Sequence, residues 1–380
     1  MVDSGDSACK KILIPYFLAG SGHLAVAEAI AHALRQRRPR WEVRLLEPAE
    51  EFRDHSLDRV YRRAWKRILE MPSAAKQLFF DMDEAFPALT AFINSQIMRS
   101  AVLKSIGFLA GWRPDLVMST HWGCTHMFQR ARAKLKMEMP LLYVFTELAG
   151  GYQLINCGAD LYFAMSTDAV RDLADEGIPE QKLREINLVV RPQFLQVKPE
   201  RGEARSRLGL PRRGFVLLFN VGGEGLGPTQ RFVSAFLRTV PDGRMLVACG
   251  RNEKLYNRIR VKFPVERIIP LSYRTDIELL MAASDVLAGK CGASYSMEAI
   301  IMTTPFIVTQ IGAPSERPNM NYIVENGFGW YAPTPVKFAG LLRKLIEEPG
   351  LYSSAKDSLG HVSRRNGAED IADTIVEMLA

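Results

Sequence analysis

Cysteine is scarce: five residues in 380, at positions 9, 124, 157, 249 and 291. No two stand at C-x-x-C or zinc-ligand spacing. That excludes a disulfide framework and a clustered-thiol metal site, and it predicts reduced thiols in a cytoplasmic protein. Apolar runs of membrane-spanning length are missing, so no transmembrane helix is expected. The opening residues, MVDSGDSACKK, contain no apolar h-region, which argues against a secretory leader. The phosphate loop GxxxxGK(S/T) is absent, which disfavours a P-loop nucleotidase. Recognition-helix, zinc-finger and RNP-like motifs are absent too, so no nucleic acid partner is expected.

Charge of one sign is in excess. The net charge is +7 with a pI of about 9.1. Such a balance calls for an anionic partner, either nucleic acid or a membrane surface. Arg59, Arg62, Arg63, Lys66 and Arg67 lie close together with no acid among them. Tyr61, Trp65, Ile68 and Leu69 fall between and beside them, on one face of a helix. The stretch from about Arg59 to Leu69 fits docking on an anionic membrane surface. It equally fits an amphipathic helix packed on its own domain.

Along the chain, strand and helix signals alternate. Strands are expected at 11–18, 42–47, 115–120, 140–146, 160–164 and 185–190, then at 215–221, 244–249, 266–270, 285–288 and 305–309. Helical stretches lie between them and close the chain at 335–347, 350–358 and 367–379. This pattern predicts an α/β protein with two parallel sheets. The polar segment Val197–Glu203 reads as the linker. The N-terminal domain then spans 1–196, with a helical insertion at about 51–110. The C-terminal domain spans 197–380, with the last helices able to pack back on the first domain.

Two glycine turns follow first strands. Gly20-Ser-Gly22-His23-Leu-Ala25 precedes an Ala-rich helix, and Gly222-Gly223-Glu224-Gly225-Leu-Gly227 precedes a helix from about Thr229. Glycines admit close approach of a ligand, and a helix N-terminus presents free N–H groups and a positive dipole end. Together the two turns suggest Rossmann-like halves facing one phosphate-bearing ligand. The first turn also matches a dinucleotide fingerprint, with Glu42 as its acid. His23, beside a helix N-terminus, is expected to stay neutral and able to accept a proton. Arg251 follows the strand 244–249, at the sheet edge where ligands of open α/β folds bind. Gly292, Ala293 and Ser294 open a helix that carries Glu298 about two turns in. A carboxylate there can accept from a ribose diol, though a solvated helix glutamate has the same pattern. Glu316 and Asn319 can hold sugar hydroxyls.

These segments resemble the GT-B glycosyltransferases related to monogalactosyldiacylglycerol synthase, processive diacylglycerol glucosyltransferases and the peptidoglycan N-acetylglucosaminyltransferase. The likeness rests on Gly222–Pro228, Cys249–Leu255, Cys291–Glu298, Ser315–Asn319 and Tyr322–Gly327. Arg113–His121, Gly177–Pro179 and Arg191–Phe194 extend it over most of the chain. The resemblance implies a GT-B fold, two Rossmann-like domains facing an interdomain cleft, with a UDP-sugar donor held mainly by the second. It implies Glu298 on the ribose, the Gly222–Gly227 loop on the diphosphate, Glu316 and Asn319 on the sugar, and His23 near the acceptor. Glu147 is the alternative base. The implied reaction inverts the anomeric centre and requires no metal or other cofactor. Its acceptor is a membrane lipid or lipid-linked molecule, and its location is cytoplasmic, peripheral on the inner face of the membrane.

Other readings use the same residues. A UDP-sugar epimerase of the same fold needs no acceptor. A dinucleotide-dependent oxidoreductase rests on Gly20–Ala25 alone. A diverged UDP-sugar binder without activity is suggested by departures from the family pattern, such as Asn187-Leu-Val-Val190 and the histidine-free segment after Thr146-Glu147.

Overall fold

The computed structural model describes residues 9–18, 22–59, 67, 71, 75, 78, 85–151, 156–196, 199–222 and 228–380. The chain divides into two compact units, one of residues 1–191 with 365–380, the other of residues 192–364.

In the first unit, β1 (Lys11–Pro15), β2 (Glu42–Leu46), β3 (Leu116–Ser119), β4 (Leu141–Val144), β5 (Leu161–Ala164) and β6 (Leu183–Glu185) form one sheet. Its order is β2-β1-β3-β4-β5-β6, and the pairings are parallel. β3 and β4 are buried throughout, as a sheet covered on both faces requires. The helices are α1 (Gly22–Arg37), α2 (Pro48–Glu51), α3 (His55–Leu57), α4 (Pro87–Trp112), α5 (Trp122–Leu135) and α6 (Thr167–Asp175). α3 lies within the expected helical insertion at about 51–110, and α4 overlaps it. Of the basic stretch, only Arg59 and Arg67 lie among the described residues, so its aromatic face falls outside them.

The second unit holds α7 (Arg201–Arg207), β7 (Val216–Asn220), α8 (Thr229–Thr239), β8 (Arg244–Ala248), α9 (Glu253–Lys262), β9 (Ile268–Leu271), α10 (Ile277–Ala283), β10 (Val286–Lys290), α11 (Ala293–Ile301), β11 (Phe306–Gln310), α12 (Arg317–Glu325), β12 (Gly329–Tyr331), α13 (Pro335–Glu347) and α14 (Pro349–Gly360). Its parallel sheet runs β12-β11-β10-β7-β8-β9. Phe219, Phe232 and Phe338 meet edge-on or tilted, with centroids 5.3–6.3 Å apart, and seat α8 and α13 on β7.

α15 (Gly367–Leu379) belongs to the first unit. It packs on the alanine-rich α1, whose small side chains allow close approach. Asn366 caps it: the amide oxygen accepts from Ala368 N at 3.1 Å and Val190 N at 3.3 Å, and the amide nitrogen donates to Val190 O at 2.9 Å. The buried run Ile186–Val190 is therefore a connection to α15, not the strand its apolar composition predicts; the strand β6 lies just before it. Asn366→Ala should lower stability by about 1–2 kcal/mol through the lost cap and its bonds to Val190. Urea unfolding followed by circular dichroism measures it.

The expected linker is also partly helix. α7 is held by Arg205, which is buried and donates to Asp285 at 2.7 Å and to the carbonyls of Ala283, Arg212 and Gly214. Arg205 lies two residues past the expected linker, whose own charged residues Glu200, Arg201 and Glu203 are exposed.

Candidate active site

In each unit, chain order reverses at one place in the sheet. β1 sits between β2 and β3, and β7 sits between β8 and β10. Crevices at such switch points, beyond the carboxyl ends of the strands, are where open α/β sheets bind ligands. Of the predicted residues, Gly22 and His23 lie at the first switch point and Gly222, Gly292, Ala293 and Ser294 at the second; Glu147, Arg251 and Glu316 follow the strands β4, β8 and β11.

At the first, Gly22 opens α1 and His23 follows it. His23 Nδ1 lies 2.6 Å from Thr120 O at the end of β3. A carbonyl oxygen only accepts, so Nδ1 carries the proton and Nε2 keeps its lone pair. Thr146, just beyond β4, places Oγ1 3.2 Å from the same nitrogen. Thr120 Oγ1 donates to His23 O at 3.1 Å, locking α1 to β3 from both sides. The imidazole is held neutral, its pKa pushed down to about 4. The first cause is loss of solvent, with the Thr120 bond acting in the opposite direction. Burial thus acts in the same direction as the helix N-terminus from which neutrality was expected.

His121 stands 4.7 Å from the His23 ring, edge to face. It caps α5, its Nδ1 accepting from Gly123 N at 3.0 Å. Burial, then the neighbouring His23, holds its pKa well below the usual range. A Cβ at Gly123 would crowd the His121 and Phe17 rings, both at 3.2 Å, and push the Met98 methyl aside. Thr120, His121 and Thr146 were not singled out from the sequence as site residues. Their signal is position alone, each within two residues of a strand end. Glu147 follows Thr146 and is partly exposed.

Glu42 corrects the dinucleotide reading. The acid of that fingerprint belongs at the carboxyl end of β2. Glu42 is instead the first residue of β2, level with Lys11, and accepts from Trp112 Nε1 at 3.2 Å. It lies at the opposite edge of the sheet from His23.

At the second switch point, Gly222 follows β7 with φ +77°, a left-handed conformation suited to glycine. Its N–H donates to Asn220 Oδ1 at 2.9 Å. Gly223, Glu224 and Gly225 lie outside the described residues. β10 passes β7 so closely that a Cβ on Gly289 would lie 2.0 Å from Asn220 O. Gly292 then caps α11, Ala293 begins it, and Ser294 Oγ donates to Glu298 Oε1 at 3.3 Å. Glu298 is 4% exposed, so it is not a solvated helix glutamate.

Arg251, beyond β8, is exposed and lies over the Tyr273 ring at 4.8 Å. Beyond β11, Glu316 is held on both oxygens: Lys290 Nζ lies 2.6 Å from Oε1, and Gly312 N donates to Oε2 at 2.8 Å. Lys290 opens the segment that runs to Glu298, but no sequence pattern assigned it a role of its own. Asn319, near the start of α12, is fully buried. The second unit thus presents buried and paired polar groups around a glycine turn and two helix N-termini, an arrangement suited to an anion carrying hydroxyls.

Residues 23–190 match the family model described as monogalactosyldiacylglycerol (MGDG) synthase. A probable chloroplastic monogalactosyldiacylglycerol synthase of Nicotiana tabacum is 26% identical over 359 residues, covering 88% of this chain and 64% of that protein. The chain therefore spans about two-thirds of that relative's length. Among solved structures, MurG of Acinetobacter baumannii superposes with a TM-score of 0.64 at 14% identity, over 97% of this chain and 100% of that one. The UDP-GlcNAc 2-epimerase of Neisseria meningitidis, bound to UDP-GlcNAc, gives 0.65 at 15% identity, over 97% and 99%. By the architecture of its two Rossmann-like units and by sequence, the chain resembles the GT-B glycosyltransferases of the monogalactosyldiacylglycerol synthase group.

Proposed function

We propose that this chain is an inverting glycosyltransferase that moves a hexose or N-acetylhexosamine from a UDP-sugar to a membrane lipid or lipid-linked acceptor. The observation that carries the reading is His23. It is a neutral imidazole with a fixed tautomer, at a switch point, inside the segment that matches the synthase family. The galactolipid in the name of the Nicotiana relative supports a lipid acceptor, and the UDP-GlcNAc of the epimerase structure supports a UDP-sugar donor.

In this mechanism the acceptor hydroxyl attacks the sugar C1 on the face opposite the diphosphate. The new C1–O bond forms as the bond to the diphosphate oxygen breaks, and UDP leaves with that electron pair. His23 Nε2 takes the hydroxyl proton, or Glu147 does. The N-terminus of α8 and Arg251 stabilise the charge that develops on the leaving group, an electrostatic role for groups already in place. Glu298 holds the ribose, and Glu316 with Asn319 the sugar hydroxyls. Glu316 would do so while paired to Lys290, which keeps its charge balanced beside a diphosphate.

No helix among the described residues is long and apolar enough to cross a membrane. The enzyme is proposed to act as a peripheral protein on the cytoplasmic face, with the Arg59–Leu69 stretch as one contact. The test is transfer from UDP-galactose, UDP-glucose and UDP-GlcNAc to vesicles of extracted lipid, with the product followed in the organic phase. Lipid-borne sugar is the expected result. Turnover of a UDP-sugar without lipid would replace this reading with the epimerase. UDP binding with no transfer from any donor would replace it with the non-catalytic binder.

A further inference from the structure

The second unit carries a groove that starts at the α8 N-terminus, at Pro228 and Thr229, and continues well past it. It lies between α8 and α9, has a volume of about 750 Å³, and includes Pro335 at the start of α13. From α8 it takes Arg231, Ser234 and Arg238; from α9, Lys254, Arg258 and Lys262. The first set is spaced i, i+3, i+7 and the second i, i+4, i+8, so each is one stripe of its helix. Its lining contains no carboxylate. Among the described residues, none of the five cations forms an ion pair; Lys262 donates to the neutral Gln230 at 3.2 Å. Five like charges held side by side repel one another, and an anion between them relieves that cost.

The groove runs away from the donor loops. Arg238 and Lys262 sit in the last turns of their helices, and Arg238 lies roughly 10 Å along α8 from Arg231 at 1.5 Å per residue. A diphosphate at the Gly222 turn cannot reach that end. The charged side chains are exposed, which suits an extended anionic surface better than a small ion needing an enclosed site. Apolar side chains adjoin the lining. Val261, next to Lys262, is 83% exposed, and Val336, next to Pro335, is 82% exposed. Basic side chains accompanied by exposed apolar ones form the pattern of an interfacial membrane contact.

We propose that the α8–α9 groove binds the phosphates of anionic lipid headgroups, giving the second unit its own contact with the membrane. The proposal rests on the lipid-acceptor reading only for its choice of partner. Binding is measured without sugar donor, so loss of one reading leaves the other standing.

The experiment is flotation of the purified protein with vesicles of phosphatidylcholine alone or mixed with phosphatidylglycerol. The wild type should float with the mixed vesicles only. Arg238→Ser with Arg258→Ser should weaken that partition roughly twenty-fivefold, at about fivefold per charge near an anionic surface. Val261→Ser with Val336→Ser should weaken it with uncharged vesicle content held constant. Both pairs are on the surface, so UDP affinity and the melting temperature should not change. Partition unaffected by the arginine pair, but abolished by Arg59→Ser with Arg67→Ser, would overturn the proposal. So would tight binding of inorganic phosphate without vesicles that the arginine pair removes, since the ligand would then be a soluble phosphate.

Discussion

Replacing His23 with alanine should lower kcat roughly a hundred- to ten-thousandfold, the range for a lost general base, while affinity for the UDP-sugar stays within about twofold. The side chain is on the first unit, and the donor groups assigned here are on the second, so ground-state donor binding has no reason to change. The tautomer makes the prediction specific. With Nδ1–H committed to Thr120 O, Nε2 is the nitrogen left to accept a proton. Asparagine keeps an amide donor towards Thr120 but supplies no base, so His23→Asn should be as slow as alanine. Wild-type turnover in either variant would remove His23 from the chemistry and leave Glu147 as the base to test.

The depressed pKa adds a pH signature. An ordinary histidine base loses activity as pH falls through about 6.5. His23, at about 4, should keep its neutral form, so kcat/KM should stay flat down to about pH 5 before its acid limb begins. Stability follows the same sign. The folded pKa lies below the unfolded value, so below about pH 6.5 the unfolded chain binds the proton first. The contribution of His23 is complete above that pH and is lost as pH falls from 6.5 towards 4. His121, shifted in the same direction, adds to the loss. Chemical unfolding across that window should show stability falling with acid, less steeply in His23→Ala.

The first-unit strands could be placed from sequence because runs such as Leu116–Ser119 and Leu141–Val144 are apolar on both faces, and a covered parallel sheet produces that composition. The same logic misplaces Ile186–Val190, which is buried for another reason, against the cap of α15. β12 has three residues at a sheet edge and α7 has two buried residues, too few to establish a period. The glycine turns point to the site because a left-handed φ at Gly222 and the tight passage at Gly289 leave a direct trace in residue choice. Pairings distant in the chain leave none. Lys290 with Glu316, and His23 with Thr120, are partners only because neighbouring parallel strands end side by side. What sequence patterns supply is therefore the address of the site; its protonation states and charge balance come from the fold.

Replacing Glu298 with alanine should weaken UDP binding about ten- to hundredfold, the cost of one or two hydrogen bonds to a charged group. Turnover at saturating donor should change far less, because the ribose is remote from the bond that breaks. Glu298 is 4% exposed and accepts from Ser294 Oγ at 3.3 Å, on the helix that follows β10 and beside the β7 turn. A carboxylate there can accept two hydrogen bonds from a ribose diol. A purely structural glutamate could also lower affinity by loosening α11, so the decisive comparison is a cycle of variant against ligand. Wild type should lose affinity when a UDP lacking the ribose 2′-hydroxyl replaces UDP; Glu298→Ala should be nearly indifferent, and the two losses should not add. Calorimetry measures all four corners. Additive losses would place Glu298 in the support of α11 and return the ribose to another residue of the β7–β10 crevice.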